Sequence, residues 1–118
     1  MPDPVEHSDF YAVKANSRVT LSITIGNGQV GGTDVTFDGA PLGSGAVTDL
    51  LIGAAGQDLK NTSVDCLTTV RRQNASSGLT SVTYTLKGGV QDRDYVYPGP
   101  TLPQIGDRVV YDVSFVFS

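Results

Sequence analysis

The sequence predicts an all-β protein, an antiparallel β-sandwich of about seven strands in one domain. Short segments alternate apolar and polar residues, which is the period of a half-buried strand. Turn formers separate these segments, since the 118 residues include 14 glycines and 6 prolines. Helix signals are scarce, because Glu6 is the only glutamate and the other carboxylates are aspartates, which favour turns and caps. Together these observations exclude a helical domain.

The clearest strand signal covers residues 18–25, where apolar side chains occupy every second position from Val19 to Ile25. Asn27-Gly28 follows, and Asn-Gly between alternating segments predicts a tight hairpin because both residues tolerate positive φ. The return strand is expected over residues 29–38. The pair Gly31-Gly32 predicts a bulge or kink within it.

The second half contains two long alternating runs. Residues 62–73 and residues 80–87 are separated by a loop of hairpin length, so they are predicted to pair as an antiparallel hairpin. A shorter apolar strand is expected at residues 49–52. The last run, residues 107–118, has the most apolar stripe, which predicts a central or covered strand, since an exposed edge of this kind aggregates.

The amino terminus lacks such a pattern. Residues 1–8 mix proline, charge and His7 without periodicity, which predicts a flexible arm before an opening strand at residues 10–13. The expected domain organisation is therefore an arm over residues 1–8 and a single sandwich over residues 9–118.

The strand spacing resembles that of immunoglobulin-like sandwiches, with a jelly roll as the competing topology. The resemblance stops at spacing. Cys66 is the only cysteine and the chain has no tryptophan, so the core signature of antibody domains is absent.

Charge and composition restrict the partners. The formal net charge is -4, and basic residues do not cluster beyond Arg71-Arg72, so no nucleic-acid partner is expected. No apolar stretch reaches the roughly 18 residues of a membrane helix, so the chain is expected to be soluble, without membrane insertion. Cys66 lacks a nearby cysteine or histidine partner and is predicted to be a buried, inert thiol. The compartment stays open.

The residue inventory argues against catalysis. His7 is the only histidine, and it lies in the expected arm. Ser-His-Asp and Cys-His catalytic sites and zinc sites are therefore not expected, because each needs histidine or several cysteine ligands. No cofactor is expected. Paired aspartates remain, Asp34 with Asp38 and Asp92 with Asp94, and an enzyme built on them is one alternative. Asp92 and Asp94 would also fit part of a calcium site, although the specific calcium-loop pattern is missing.

The best candidate for a binding site is the segment 92–100, which lies within a long loop predicted after Gly88-Gly89. Tyrosine offers apolar area and a hydroxyl, and carboxylates bind sugar hydroxyls, so the segment suits a carbohydrate or small ligand. The equally weighted alternative is that both tyrosine rings cap the core. The candidate binding residues are Asp92, Arg93, Asp94, Tyr95 and Tyr97.

The function expected from the sequence is a non-catalytic interaction or assembly module. It would be a structural subunit that binds a protein partner or self-associates as a homo-oligomer through a strand edge or sheet face. Carbohydrate or small-ligand binding at residues 92–100 is the first alternative, and an aspartate-based enzyme is the second.

Overall fold

The computed structural model describes residues 3–118, which form two packed β-sheets. Within this range the only helix is a short 3-10 turn at Gly56–Asp58. The strands, numbered along the chain, are β1 Val5–Tyr11, β2 Val19–Ile25, β3 Val30–Phe37, β4 Ala40–Gly45, β5 Leu50–Gly53, β6 Ser63–Arg71, β7 Ser81–Lys87, β8 Arg93–Pro98 and β9 Arg108–Phe117.

One sheet has the strand order β1-β9-β6-β3-β4 and the other has the order β5-β2-β7-β8. Strand β1 runs parallel to β9, and every other pair is antiparallel. The predicted all-β sandwich is confirmed, with two strands, β4 and β8, beyond those expected. Strand β8 lies in the segment that was predicted to be a long loop.

The core lies between the two sheets and is filled by side chains that alternate inward along each strand. Strand β9 contributes most, and its inward residues are fully buried: Val109, Tyr111, Val113, Phe115 and Phe117. It lies between β1 and β6, so the predicted central position of the last strand is confirmed. Its apolar stripe is covered on both edges, which removes the aggregation hazard.

The hairpin predicted from residues 62–73 and 80–87 is wrong. Strand β6 pairs with β3 on one edge and β9 on the other, whereas β7 lies in the opposite sheet between β2 and β8. Both edges of β6 are therefore occupied. The intervening chain crosses from one sheet to the other and does not fold back as a turn.

Asn27-Gly28 forms a turn as predicted but does not make a hairpin. Asn27 and Gly28 have φ of 60° and 72°, yet β2 and β3 belong to different sheets. The tight hairpin is at Asp38-Gly39, where φ is 51° and 79° and Phe37 pairs with Ala40. Two consecutive positive φ values give the twist that suits adjacent strands.

The bulge predicted at Gly31-Gly32 is also wrong. Strand β3 pairs with β6 in continuous register through both glycines, and its register shift is against β4, between Val35 and Thr36. A Cβ at Gly31 would collide with the carbonyl oxygen of Thr69. The glycine is therefore needed for close approach to the neighbouring strand.

The second half of the expected arm at the amino terminus is part of a strand. Residues 5–8 belong to β1, which pairs along its whole length with β9, from Val5 opposite Tyr111 to Tyr11 opposite Phe117. Residues 1 and 2 of the expected arm lie outside the described residues. The strand VEHSDFY has polar residues at four consecutive positions, so it shows no alternation of apolar and polar residues.

Gln29 ties together the turns at one end of the sandwich. Its side chain is buried, and its amide nitrogen donates to the carbonyl oxygens of Ser77 and Leu79 at 2.9 Å each. Its side-chain oxygen accepts from the backbone N–H groups of Gln73 and Asn74, at 2.9 and 3.0 Å. One buried side chain thus bonds four backbone groups of the segment that crosses between the sheets.

Candidate functional site

The candidate site is the groove that holds β1. Because side chains alternate along a strand, one side of β1 lies on the same face of the sheet as the buried residues of β9. Its members are Val5, His7, Asp9 and Tyr11, of which His7 is exposed, Val5 and Asp9 are half-buried and Tyr11 is fully buried. Tyr95 and Tyr97 of β8, in the other sheet, point towards the same strip. We call the space between β9 and these two tyrosines the β1 groove.

Tyr97 contacts β1 at two side chains. Its ring stacks on the imidazole of His7, with ring centroids 4.2 Å apart and planes 13° from parallel. Its hydroxyl donates to Oδ2 of Asp9 at 2.9 Å. A hydrogen bond to a carboxylate is roughly twice as strong as a neutral one, so Tyr97 binds β1 through its side chains.

Tyr95 binds the backbone of β1. Its hydroxyl donates to the carbonyl oxygen of Phe10 at 2.8 Å. Its ring packs on Phe115 of β9, with ring centroids 4.8 Å apart. The Arg93 guanidinium lies over the same ring, 5.3 Å from its centroid. Tyr95 therefore joins β8, β9 and β1 at one point, with a cation–π contact on its outer side.

Tyr11 anchors the end of β1. Its hydroxyl donates to the carbonyl oxygen of Gln91 at 2.7 Å and accepts from the N–H of Gly89 at 2.9 Å. A Cβ at Gly89 would collide with the carbonyl oxygen of Ala12, so glycine allows this approach. Tyr11 is the only fully buried side chain of β1, which makes it the main apolar anchor of the strand.

The tyrosine hydroxyls of the groove are held neutral. Burial raises the pKa of Tyr97, and the neighbouring carboxylate of Asp9 raises it further. Burial also raises the pKa of Tyr95, although the positive charge of Arg93 partly opposes this, and burial raises the pKa of Tyr11. All three hydroxyls act as hydrogen-bond donors, which requires the neutral form.

The predicted binding loop is a strand. Residues 93–98 form β8, and the rings of Tyr95 and Tyr97 are only 6% and 8% exposed. The loop prediction missed this because Pro98-Gly99-Pro100 obscured the alternation of Tyr95 and Tyr97 with exposed neighbours. Proline is compatible with the end of an edge strand, which is where Pro98 lies.

The charged residues of the predicted site do not converge with the rings. Asp94 faces the outer surface and accepts from the hydroxyl of Thr85 at 2.6 Å. Asp92 accepts from the N–H of Gly88 at 3.1 Å. Both carboxylates are exposed, whereas both rings face the core, so only Arg93 and Tyr95 of the predicted set are in contact.

A second surface lies on the outer face of the five-stranded sheet. The strand register places Asp34, Leu67, Asp112 and Glu6 in one row across it. Leu67 is 47% exposed, and Asp65 in the next row accepts from the hydroxyl of Ser114 at 2.6 Å. The face is acidic and shallow, with one apolar side chain near its middle.

Cys66 is buried, as predicted. Its side chain is fully covered, and burial raises the pKa of the thiol to about 12, with the carboxylates of Asp65 and Asp112 adding to the shift. A thiol in this environment is a poor nucleophile, because the thiolate is the reactive form.

Within residues 3–118, His, Cys, Asp and Glu side chains form no group of three or more that could hold a metal ion. The same residues contain no helix long and apolar enough to cross a membrane.

Sequence reasoning missed His7 and Asp9 as members of the groove. The period-two series Val5, His7, Asp9, Tyr11 was present, but two of its four members are polar, so it did not register as a buried face. The polar members are accommodated because they face the ring and hydroxyl of Tyr97.

Comparisons with protein-family models, with curated proteins and with solved structures find no match for this chain.

Proposed function

We propose that this protein is a non-catalytic assembly module that acts by strand addition in the β1 groove. In strand addition, an extended segment joins the edge of a sheet, where main-chain pairing supplies affinity and side-chain contacts supply specificity. The observation that carries the proposal is the way β1 is held. It pairs with β9 along seven register positions. Tyr95 hydrogen-bonds to its backbone and Tyr97 hydrogen-bonds to the side chain of Asp9.

The hydrogen bonding of the tyrosines and of the other buried polar side chains supports a non-catalytic role. All five tyrosines are buried with hydrogen-bonded hydroxyls, and within residues 3–118 no buried side-chain nitrogen or oxygen lacks a partner. These hydroxyls and buried polar groups therefore stabilise the fold. A groove specific for an extended segment is the feature best suited to recognition.

A labelled peptide covering residues 3–13 tests the proposal, with a peptide of the same composition in scrambled order as the control. The full chain is incubated with each peptide, and binding is followed by fluorescence anisotropy. We expect slow binding of the natural peptide, because it must displace β1, and no binding of the scrambled one. Equal signals from both peptides, or none from either, would contradict strand addition.

Carbohydrate or small-ligand binding at residues 92–100 stays a prediction. A sugar that stacked on Tyr97 would have to displace His7 of β1, which stacks on that ring. A sugar that stacked on Tyr95 would have to displace Arg93 or Phe115, which contact its ring. Glycan-array binding that is lost in Tyr97→Ala and retained in Val96→Ala would favour this function over assembly. Val96 is the matched control because it is exposed on the outer side of the same strand.

The finer topology also stays a prediction. Two packed sheets and an aromatic core fit an immunoglobulin-like or jelly-roll sandwich. One feature departs from the immunoglobulin order, in which the last two strands are neighbours. Here β9 neighbours β6, and β7 and β8 come between them in sequence and lie in the other sheet.

A further inference from the structure

We infer that two copies of this chain exchange their β1 strands, so that the β1 of each copy lies in the β1 groove of the other. The inference rests on the proposed function and adds the identity of the partner, a second copy of this chain. It follows from three features: what the sheet edges offer, how β1 is held, and the segment that joins it to β2.

Three of the four edge strands, β4, β5 and β8, are poor sites for adding a foreign strand. Strand β4 contains Pro41 and a register shift lies between it and β3, β5 has four residues, and β8 ends at Pro98. Proline, bulges and short length are the features that block edge pairing. The edge of β9 differs, because it is long, apolar and covered only by β1.

Strand β1 is held mainly by hydrogen bonds and contributes few buried apolar side chains to the core. Glu6, His7, Ser8 and Phe10 are exposed, and Tyr11 is the only fully buried member. Its pairing with β9 is parallel, which is slightly less stable per residue than antiparallel pairing. Few apolar contacts therefore oppose its release.

The segment after β1 provides a hinge. Val13 is buried and its N–H donates to the carbonyl oxygen of Ser118, so residues up to Val13 belong with β1. Residues 14–18 are mostly exposed. Two backbone hydrogen bonds hold them, a long one of 3.4 Å from the N–H of Ser17 to the carbonyl oxygen of Lys14 and one of 3.1 Å from the N–H of Gln57 to the carbonyl oxygen of Ala15. Opening this turn extends the chain by up to about 3.5 Å per residue, so β1 can reach another copy.

The exchanged dimer keeps every contact of the groove. Tyr97 still binds His7 and Asp9, and Tyr95 still binds the Phe10 carbonyl, but the partners come from different chains. Exchange of an identical element requires no new interface, which makes it a low-cost route to a dimer. The groove contacts then set the rate of exchange, because they must break before β1 leaves.

The variant Ser8→Cys with Ser114→Cys tests where β1 lies. Ser8 and Ser114 are opposite each other in the β1–β9 register, on the outer face, and neighbouring strands have the Cα separation that a disulfide needs. Monomer and dimer fractions of the concentrated protein are separated by size-exclusion chromatography with light scattering and then oxidised. Thiols are alkylated before a non-reducing denaturing gel, and Cys66 is buried during oxidation.

We expect the monomer fraction to give single chains with an internal disulfide and the dimer fraction to give covalently linked dimers. A dimer fraction that runs as single chains after oxidation would overturn strand exchange and leave self-association through another surface. A protein that stays monomeric at every concentration would also overturn exchange. The peptide experiment then decides separately whether the groove accepts any added strand.

A rate measurement without new cysteines provides the second test. Tyr97→Phe removes the hydroxyl that binds Asp9, and loss of a hydrogen bond to a charged group should accelerate dimer formation about tenfold or more. Tyr84→Phe is the matched control, because its hydroxyl bonds Thr68 in the core and does not contact β1. Equal rates in the two variants would contradict the role of the groove in exchange.

Discussion

Replacement of Gln29 by leucine should destabilise the protein strongly, although leucine has a similar size and is apolar. Gln29 is 6% exposed and makes four hydrogen bonds to backbone groups of the segment that crosses between the sheets. A neutral hydrogen bond contributes about 1 kcal/mol net, so the loss is expected to be about 4 kcal/mol. The free energy of unfolding of native proteins is about 5–15 kcal/mol, so this loss is a large part of the total stability.

The free energy of unfolding from urea titration measures this loss, with the slope of the linear fit showing whether the unfolding transition is otherwise unchanged. Gln57→Leu is the matched control, because Gln57 is exposed and should change stability by no more than about 0.5 kcal/mol. A loss below about 1 kcal/mol for Gln29→Leu would refute the reasoning. It would mean that water or a rearranged loop satisfies the four backbone groups.

Gln29→Glu separates the two halves of the network. Glutamate keeps the oxygen that accepts from Gln73 and Asn74, but its second oxygen faces the carbonyl oxygens of Ser77 and Leu79. An ionised carboxylate cannot donate to a carbonyl, whereas the protonated acid can donate to one. The stability lost relative to the natural protein should therefore be larger at about pH 7 than at about pH 4.

Three further predictions concern groups elsewhere in the fold. Burial raises the pKa of Tyr84 and Tyr97 above 10.0, so the unfolded chain loses these protons first, and stability should fall as pH rises above about 10. Tyrosinate absorbance should then rise in one step together with unfolding, whereas gradual ionisation of the folded protein near pH 10 would contradict the burial of the rings. Cys66, with its pKa raised to about 12, should react with iodoacetamide only after unfolding, and rapid labelling of the native protein would show an opening of the core. Gly39→Ala places a side chain at φ +79° in the β3–β4 turn and should cost about 1 kcal/mol or more in thermal unfolding, while Gly99→Ala, which would collide with the hydroxyl of Tyr111, should cost more.

The candidate site was predictable only in part. Tyr95 and Tyr97 stand out in the sequence as a pair of aromatic residues, and the two readings, binding loop or core cap, carried equal weight. The structure places both rings facing the core. Their partners on β1 are 85 or more positions away in the sequence, and no local pattern connects them.

The sequence by itself determined the fold class and the buried face of most strands, because a strand's alternation is local and is present in each segment separately. The stripes of β9 and β6 and the burial of Cys66 follow from this property. The tertiary structure alone decided which strands pair. Strands β6 and β7 could have paired with each other by their pattern, yet β6 is enclosed by β3 and β9, and β1 joins β9 in parallel. Every strand presents the same backbone N–H and C=O groups along its edges, so the alternation of side chains does not specify which strand is its neighbour. Pairing is decided by contacts between segments that are distant in the sequence.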